Sequence, residues 1–161
     1  MRPVHGFEYK RHGTLSLYAA LNIQTGDVVG KTTARHTSQD FVGFLREVVV
    51  ACEPDQEIHV ILDNLSAHKT KLVAAFLDEH PNVKLHFTPT YSSWLNQVEL
   101  WFSKVQRDVL SRGIFTSTAD LARKLRRYIK AYARQAKPFR WKYSDPTRRI
   151  PHGKLTSRTV H

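Results

Sequence analysis

The order in which apolar periodicities succeed one another predicts an α/β domain built on a mixed sheet flanked by helices. Three observations carry that class. Leu15, Leu17, Ala19, Leu21 and Ile23 alternate with polar or small residues, the period of a half-buried strand. The apolar run from Ile58 to Leu62 is short and bounded, and Asp63 closes it, the pattern of a buried strand. Phe41, Phe44, Leu45, Val48 and Val49 instead recur at helical spacing, as do Val98, Phe102, Val105 and Val109. Strands interleaved with amphipathic helices favour one sheet with helical cover.

The first strand runs to Ile23 and ends at Thr25-Gly26-Asp27, a turn that returns the chain as a second strand over 28–33. A helix is predicted over 38–51, followed by the strand that ends at Asp63. Residues 69–79 predict a short helix with Leu72, Val73, Phe76 and Leu77 inward, stopped by His80-Pro81-Asn82. A last strand covers 83–87, a loop 88–93 and a helix 96–110. Arg112-Gly113 breaks that pattern, and a final helix is predicted over 120–136. Pro138, Pro146, Pro151 and Gly153 then predict an extended or disordered end. The expected division is a domain over 1–145 and a basic, flexible tail over 146–161, with no internal repeat.

At 161 residues the chain is sized for one domain, and 41% hydrophobic residues are enough for a core, which argues against wholesale disorder. The single cysteine, Cys52, excludes an internal disulfide and a cysteine-based zinc site. No run approaches the roughly 18 apolar residues of a membrane helix, and no signal peptide follows Met1. A cytoplasmic protein with no membrane partner is expected. The formal charge of +11 is unevenly placed. Between Arg123 and Arg149 eleven Lys or Arg face one acid, Asp145, a local charge of +10. Charge concentrated in this way favours a polyanion, because neutralised phosphates release their condensed counterions; a solvated basic helix is the plainer alternative. On a helical wheel Leu121, Leu125, Tyr128, Ile129 and Tyr132 share one side, while Arg123, Arg127, Lys130 and Arg134 gather opposite. One face is expected to dock on the domain and the other to hold DNA phosphates without reading sequence.

Asp63 and Glu99 are the candidate chemical pair, an acid at a strand end and an acid on a helix, separated by 35 residues. Hard divalent cations select carboxylate oxygens, and acids converging from separate elements suit them. Each acid also has a local reading. Asp63 can open an Asx-turn with Asn64, and Asn96-x-x-Glu99 can form a capping box with Glu99 at the third helical position. His68, five residues after Asp63, is a candidate phosphate contact or a helix cap, and His59 reads as structural. Trp94, with Tyr91, can stack on an unpaired base or anchor its loop. Lys104 and Arg107 can reach DNA from the Glu99 helix or lie in solvent.

Leu62–Lys69, reading LDNLSAHK, and His86–Phe102, reading HFTPTYSSWLNQVELWF, resemble the catalytic block of bacterial insertion-sequence transposases. The nearest likeness is the insertion sequence 630 group of the mariner-like superfamily, and it extends from about Tyr9 to Arg149. The resemblance implies an RNase H-like fold and an Asp, Asp, Glu/Asp triad, with Asp63 matching the second acid and Glu99 the third. It further implies a Mg²⁺ or Mn²⁺ pair that activates the attacking oxygen and stabilises the leaving one. The first acid has no match. Glu8 is the only acid nearby, at a position the family does not use for catalysis, and the usual helix-turn-helix region is also missing. The resemblance therefore implies a partial catalytic domain, a C-terminal piece from a truncated or frameshifted gene. Its absent first strand would be central, leaving two sticky sheet edges.

Three functions follow as expectations. The first is the metal-dependent DNA cleavage and transfer domain of a transposase, inactive alone for want of the first Asp. The second is a catalytically inactive nucleic-acid-binding remnant of a decayed element. The third, a stand-alone RNase H-like nuclease, needs a full triad within the chain. The partners that the resemblance allows are transposon-end and target DNA, a second copy as a homodimer, and a complementing upstream fragment.

Overall fold

A computed structural model of the chain describes residues 6–9, 13–89 and 97–138. Strands β1 (Gly6–Tyr9), β2 (Gly13–Leu21) and β3 (Val28–Thr33) form one antiparallel sheet with β2 in the middle. Helix α1 (Ser38–Val50) leads to β4 (Ile58–Leu62), a 3₁₀ turn (Ser66–His68), α2 (Lys71–Glu79) and β5 (Val83–Phe87). β4 and β5 pair in parallel as a second sheet. Helix α3 (Val98–Val105), a π-helical turn (Gln106–Leu110) and α4 (Thr118–Ala133) complete the described fold.

The local causes are legible in the residues. Asn22 Oδ1 accepts from the backbone N–H of Gln24 at 2.9 Å, and Gly26 takes φ +80° to close the turn into β3. α1 starts from a reciprocal box: the Thr37 hydroxyl accepts from Asp40 N–H, and the Asp40 carboxylate accepts from Thr37 N–H. Ser117 caps α4 through the N–H of Asp120.

Helices cover both faces of β2. Leu15 and Leu17 pack against Trp101, Phe102 and Val105 of α3 and Leu121, Leu125 and Ile129 of α4. From the opposite face Tyr18 joins Phe41, Phe44 and Leu45 of α1, Ile58 and Leu62 of β4, and Val73 and Phe76 of α2. β2 was expected to be half-buried; Ser16 and Tyr18 are as buried as Leu15 and Leu17, so it is a central strand. The expected mixed sheet is present as two pieces. Among the described residues no strand pairs with Leu17–Leu21 on the edge of β2 away from β3, and β4 pairs only with β5. The two pieces share a core, in which Tyr18 clusters with Ile58 and Leu62.

Most predicted bounds hold to within two or three residues. The exceptions are β1, a strand no periodicity announced, and the helix expected over 96–110, which keeps α-helical bonding only to Val105. The predicted tail over 146–161 and the loop holding Tyr91 and Trp94 lie outside the described residues.

Candidate metal and DNA site

Asp63 follows the last residue of β4, where the chain leaves the sheet. Its carbonyl accepts from Leu65 N–H at 2.8 Å, closing the turn main chain to main chain. Its side chain is buried, and the Thr88 hydroxyl donates to Oδ1 across 3.5 Å. Glu99 lies in the first turn of α3. The N-cap there is Gln97 without a side-chain cap bond, so Glu99 is the second helical residue. The capping-box reading falls on Asn96, which lies outside the described residues.

The two acids meet. Burial pushes the Glu99 carboxyl up to about 7, the charge of Asp63 adds to the rise, and a hydrogen bond with Asp63 completes it. Glu99 Oε1 is buried with no hydrogen-bond partner. An acceptor-only oxygen held beside a second carboxylate is a donor set for a hard cation. The residues present therefore fit Mg²⁺ or Mn²⁺. Among the described residues no group of three or more His, Cys, Asp or Glu side chains could hold a metal ion, so the pair stands without a third acid.

His68 was expected near DNA or at a helix cap. It is buried, its ring stacks on Phe41 at 4.2 Å between centroids, and Nδ1 lies 3.0 Å from the carbonyl of Asp63. That placement turns it inward, toward the acid, in place of the phosphate contact. His59, expected to be structural, bonds His86 across β4 and β5 at 2.9 Å. Thr88 was missed. The signal was there in the parallel register: Leu62 pairs with Phe87, so the next residues, Asp63 and Thr88, are neighbours.

α4 divides as the wheel predicts. Leu121, Leu125 and Ile129 are buried, while Arg123, Arg127, Lys130 and Arg134 are exposed. Arg123 and Lys124 both pair with Asp120, and they hold its carboxyl well below the usual carboxylate range. Arg127, Lys130 and Arg134 make no ion pair among the described residues. Lys104 of α3 sits over the ring of Tyr132 at 5.6 Å, close to this helix. Arg107 is paired with Asp108.

A profile of the DDE superfamily endonucleases matches residues 1–122, which is most of the chain. The chain belongs to the DDE superfamily endonuclease family. A curated relative of this DDE endonuclease chain is the insertion element IS630 uncharacterized 39 kDa protein of Shigella sonnei, 26% identical over 113 residues. That match covers 70% of this chain, which spans about a third of the relative's length (33%). Among solved structures, the simian T-cell lymphotropic virus intasome in complex with PP2A regulatory subunit B56 gamma aligns with TM-score 0.51 and 13% identity. The alignment covers 96% of this chain and 58% of that one. The HTLV-2 integrase catalytic core domain in complex with magnesium aligns with TM-score 0.44 and 13% identity, over 74% and 75% of the two chains. The fold of the DDE endonuclease chain is RNase H-like, its described strands forming two sheets, β1–β2–β3 and β4–β5.

Proposed function

We propose that this chain supplies part of the site for metal-dependent DNA strand cleavage and transfer in transposition. Asp63 and Glu99 would hold a divalent cation such as Mg²⁺ or Mn²⁺, and a pair of such ions would supply activation of the attacking oxygen and stabilisation of the leaving one. The observation that carries this reading is their convergence across 35 residues of sequence, with the Glu99 carboxyl pushed up to about 7 by burial and by Asp63. The charge of Asp63 disfavours ionisation of Glu99, and a bound divalent cation would offset that cost.

The rest of the chain suits a DNA substrate. Arg127, Lys130 and Arg134 are exposed on α4 and its C-cap and make no ion pair among the described residues, with Arg123 shared with Asp120 and Lys104 beside Tyr132. Such contacts position a duplex through its phosphates. In this reading the first acid of the site would come from a further strand of the sheet. That strand comes from an upstream segment, in the same polypeptide or as a complementing fragment.

The test is Mg²⁺- or Mn²⁺-dependent cleavage of insertion-element terminal DNA by residues 1–161, with and without an upstream Asp-bearing segment, and with Glu99→Gln as control. Cleavage is expected only in the complemented arm, and it is lost in the control. Robust cleavage by residues 1–161 alone, abolished by Glu99→Gln, would contradict the need for a third acid. The exposed basic residues of α4, which need no metal to hold phosphates, also suit a second reading, a DNA-binding remnant without chemistry. Salt-sensitive binding with no cleavage in any arm would establish it.

A further inference from the structure

Asp63 is held at both ends of its residue. Its carbonyl faces His68 Nδ1 at 3.0 Å, and because a carbonyl only accepts, Nδ1 carries the proton. The imidazole that makes this bond is fixed by its surroundings. It is buried, stacks on Phe41 of α1 at 4.2 Å, and lies on a 3₁₀ turn that the Ser38 hydroxyl ties down through the Ala67 carbonyl at 3.1 Å. At the other end Thr88 is equally constrained. Its backbone N–H donates to the Leu62 carbonyl at 2.9 Å, extending the β4–β5 ladder one step, and its hydroxyl then points at Asp63 Oδ1. The 3.5 Å separation is long for an O–H···O bond.

We propose that His68 and Thr88 are positioning residues for Asp63, one fixing its backbone and the other orienting its carboxylate toward Glu99 for cation binding. The Phe41 stack and the ladder bond account for where the two residues sit, and their bonds to Asp63 come in addition. A ligand at a strand end has two freedoms, the ψ of the departing chain and its own χ1 and χ2, and these two bonds restrain one each. Partners that hydrogen-bond a ligand from outside are commonly worth ten- to hundredfold in metal affinity. The inference rests on the metal reading of the Asp63–Glu99 pair, so the experiment separates the two.

Mn²⁺ affinity of residues 1–161 is measured from the loss of the free-ion paramagnetic resonance signal, with thermal unfolding run on each variant. His68→Phe keeps a ring against Phe41 and removes the donor; His68→Asn puts an amide N–H near Nδ1. Thr88→Val keeps the shape and removes the hydroxyl; Thr88→Ser restores it. His68→Phe and Thr88→Val are expected to bind Mn²⁺ about ten- to hundredfold more weakly, with His68→Asn and Thr88→Ser close to wild type. Wild-type affinity in His68→Phe and Thr88→Val, whatever happens to their melting temperatures, overturns the positioning role. So does equal weakening in Thr88→Val and Thr88→Ser, which would mean that packing alone sets the affinity. Should His68→Phe fail to fold, the Thr88 pair decides. Mn²⁺ binding lost in Glu99→Gln but unaltered in the donor-loss variants leaves the metal site standing and removes only the clamp. No Mn²⁺ binding by the wild-type chain overturns both.

Discussion

Glu99→Gln should stabilise the metal-free protein, and only above the pH at which Glu99 ionises. The Glu99 carboxyl is raised in the fold from 4.5 to about 7, first by burial and then by Asp63. A raised value means that the native state binds the proton more tightly than the unfolded chain does. The stabilisation this provides is complete below about pH 4.5, declines as pH rises, and is lost above about pH 7. Each pH unit between the two values is worth about 1.36 kcal/mol, a ceiling of roughly 3 kcal/mol. Glu99 is only half-buried, so water screens part of that, and about 1–2 kcal/mol is the reasoned cost. Glutamine carries no charge at any pH and escapes it. For a chain of this size, that difference raises the melting temperature by roughly 2–8 °C. The assay is thermal or urea unfolding of wild type and Glu99→Gln in chelator at pH 5 and pH 8. Near-equal stability at pH 5 and a more stable variant at pH 8 is expected. A difference that does not change with pH, or a less stable variant at pH 8, would refute the reasoning.

Other consequences are as direct. Asp63→Asn removes the charge that repels Glu99, so a ¹³C titration should find the Glu99 carboxyl lower than in wild type but still above its ordinary value, because burial is the larger cause. Changing Arg127, Lys130 and Arg134 to Ala should flatten the dependence of log K on log salt for duplex DNA, by about 0.9 for every phosphate that is no longer neutralised. Adding Arg123→Ala should flatten it less per residue, since Arg123 is already paired with Asp120; an unchanged slope after all four substitutions removes α4 from the interface. Leu125→Ala, at a site 1% exposed between α4 and β2, should cost about 2–5 kcal/mol in urea unfolding. Trp101→Phe should cost less than Leu125→Ala, because the buried Trp101 Nε1–H has no hydrogen-bond partner to lose.

Much of this was legible in the sequence because it depends on local periodicity. The alternation through Leu15 and Leu17, the helical stripes of α1 and α4, and the acid that closes β4 each follow from one element's own residues. The two-sided cover of β2 was not, because Ser16 and Ala20 look like solvent positions until α1 is placed over them. β1 is short and pairs through its backbone with Gly13–Ser16, so it carries no apolar signature. The inward turn of His68 depends on Phe41, from a helix 27 residues earlier in the chain. Thr88 is adjacent to Asp63 only through the parallel register of β4 and β5. The meeting of Asp63 with Glu99 belongs to the same class: each acid has an adequate local explanation, and tertiary packing alone brings them together. α3 illustrates the limit of a single period, since the stripe from Val98 to Val109 continues while the bonding widens to a π turn after Val105.

The central claim is that Asp63 and Glu99 together bind a divalent cation. Its most direct test is a crystal of residues 1–161 soaked in Mn²⁺ and measured at the manganese absorption edge. An anomalous peak within coordination distance of both carboxylates, absent from Glu99→Gln crystals grown the same way, is the predicted result. Carboxylates too far apart to share an ion, or an ordered pair with no peak between them at saturating Mn²⁺, would contradict it.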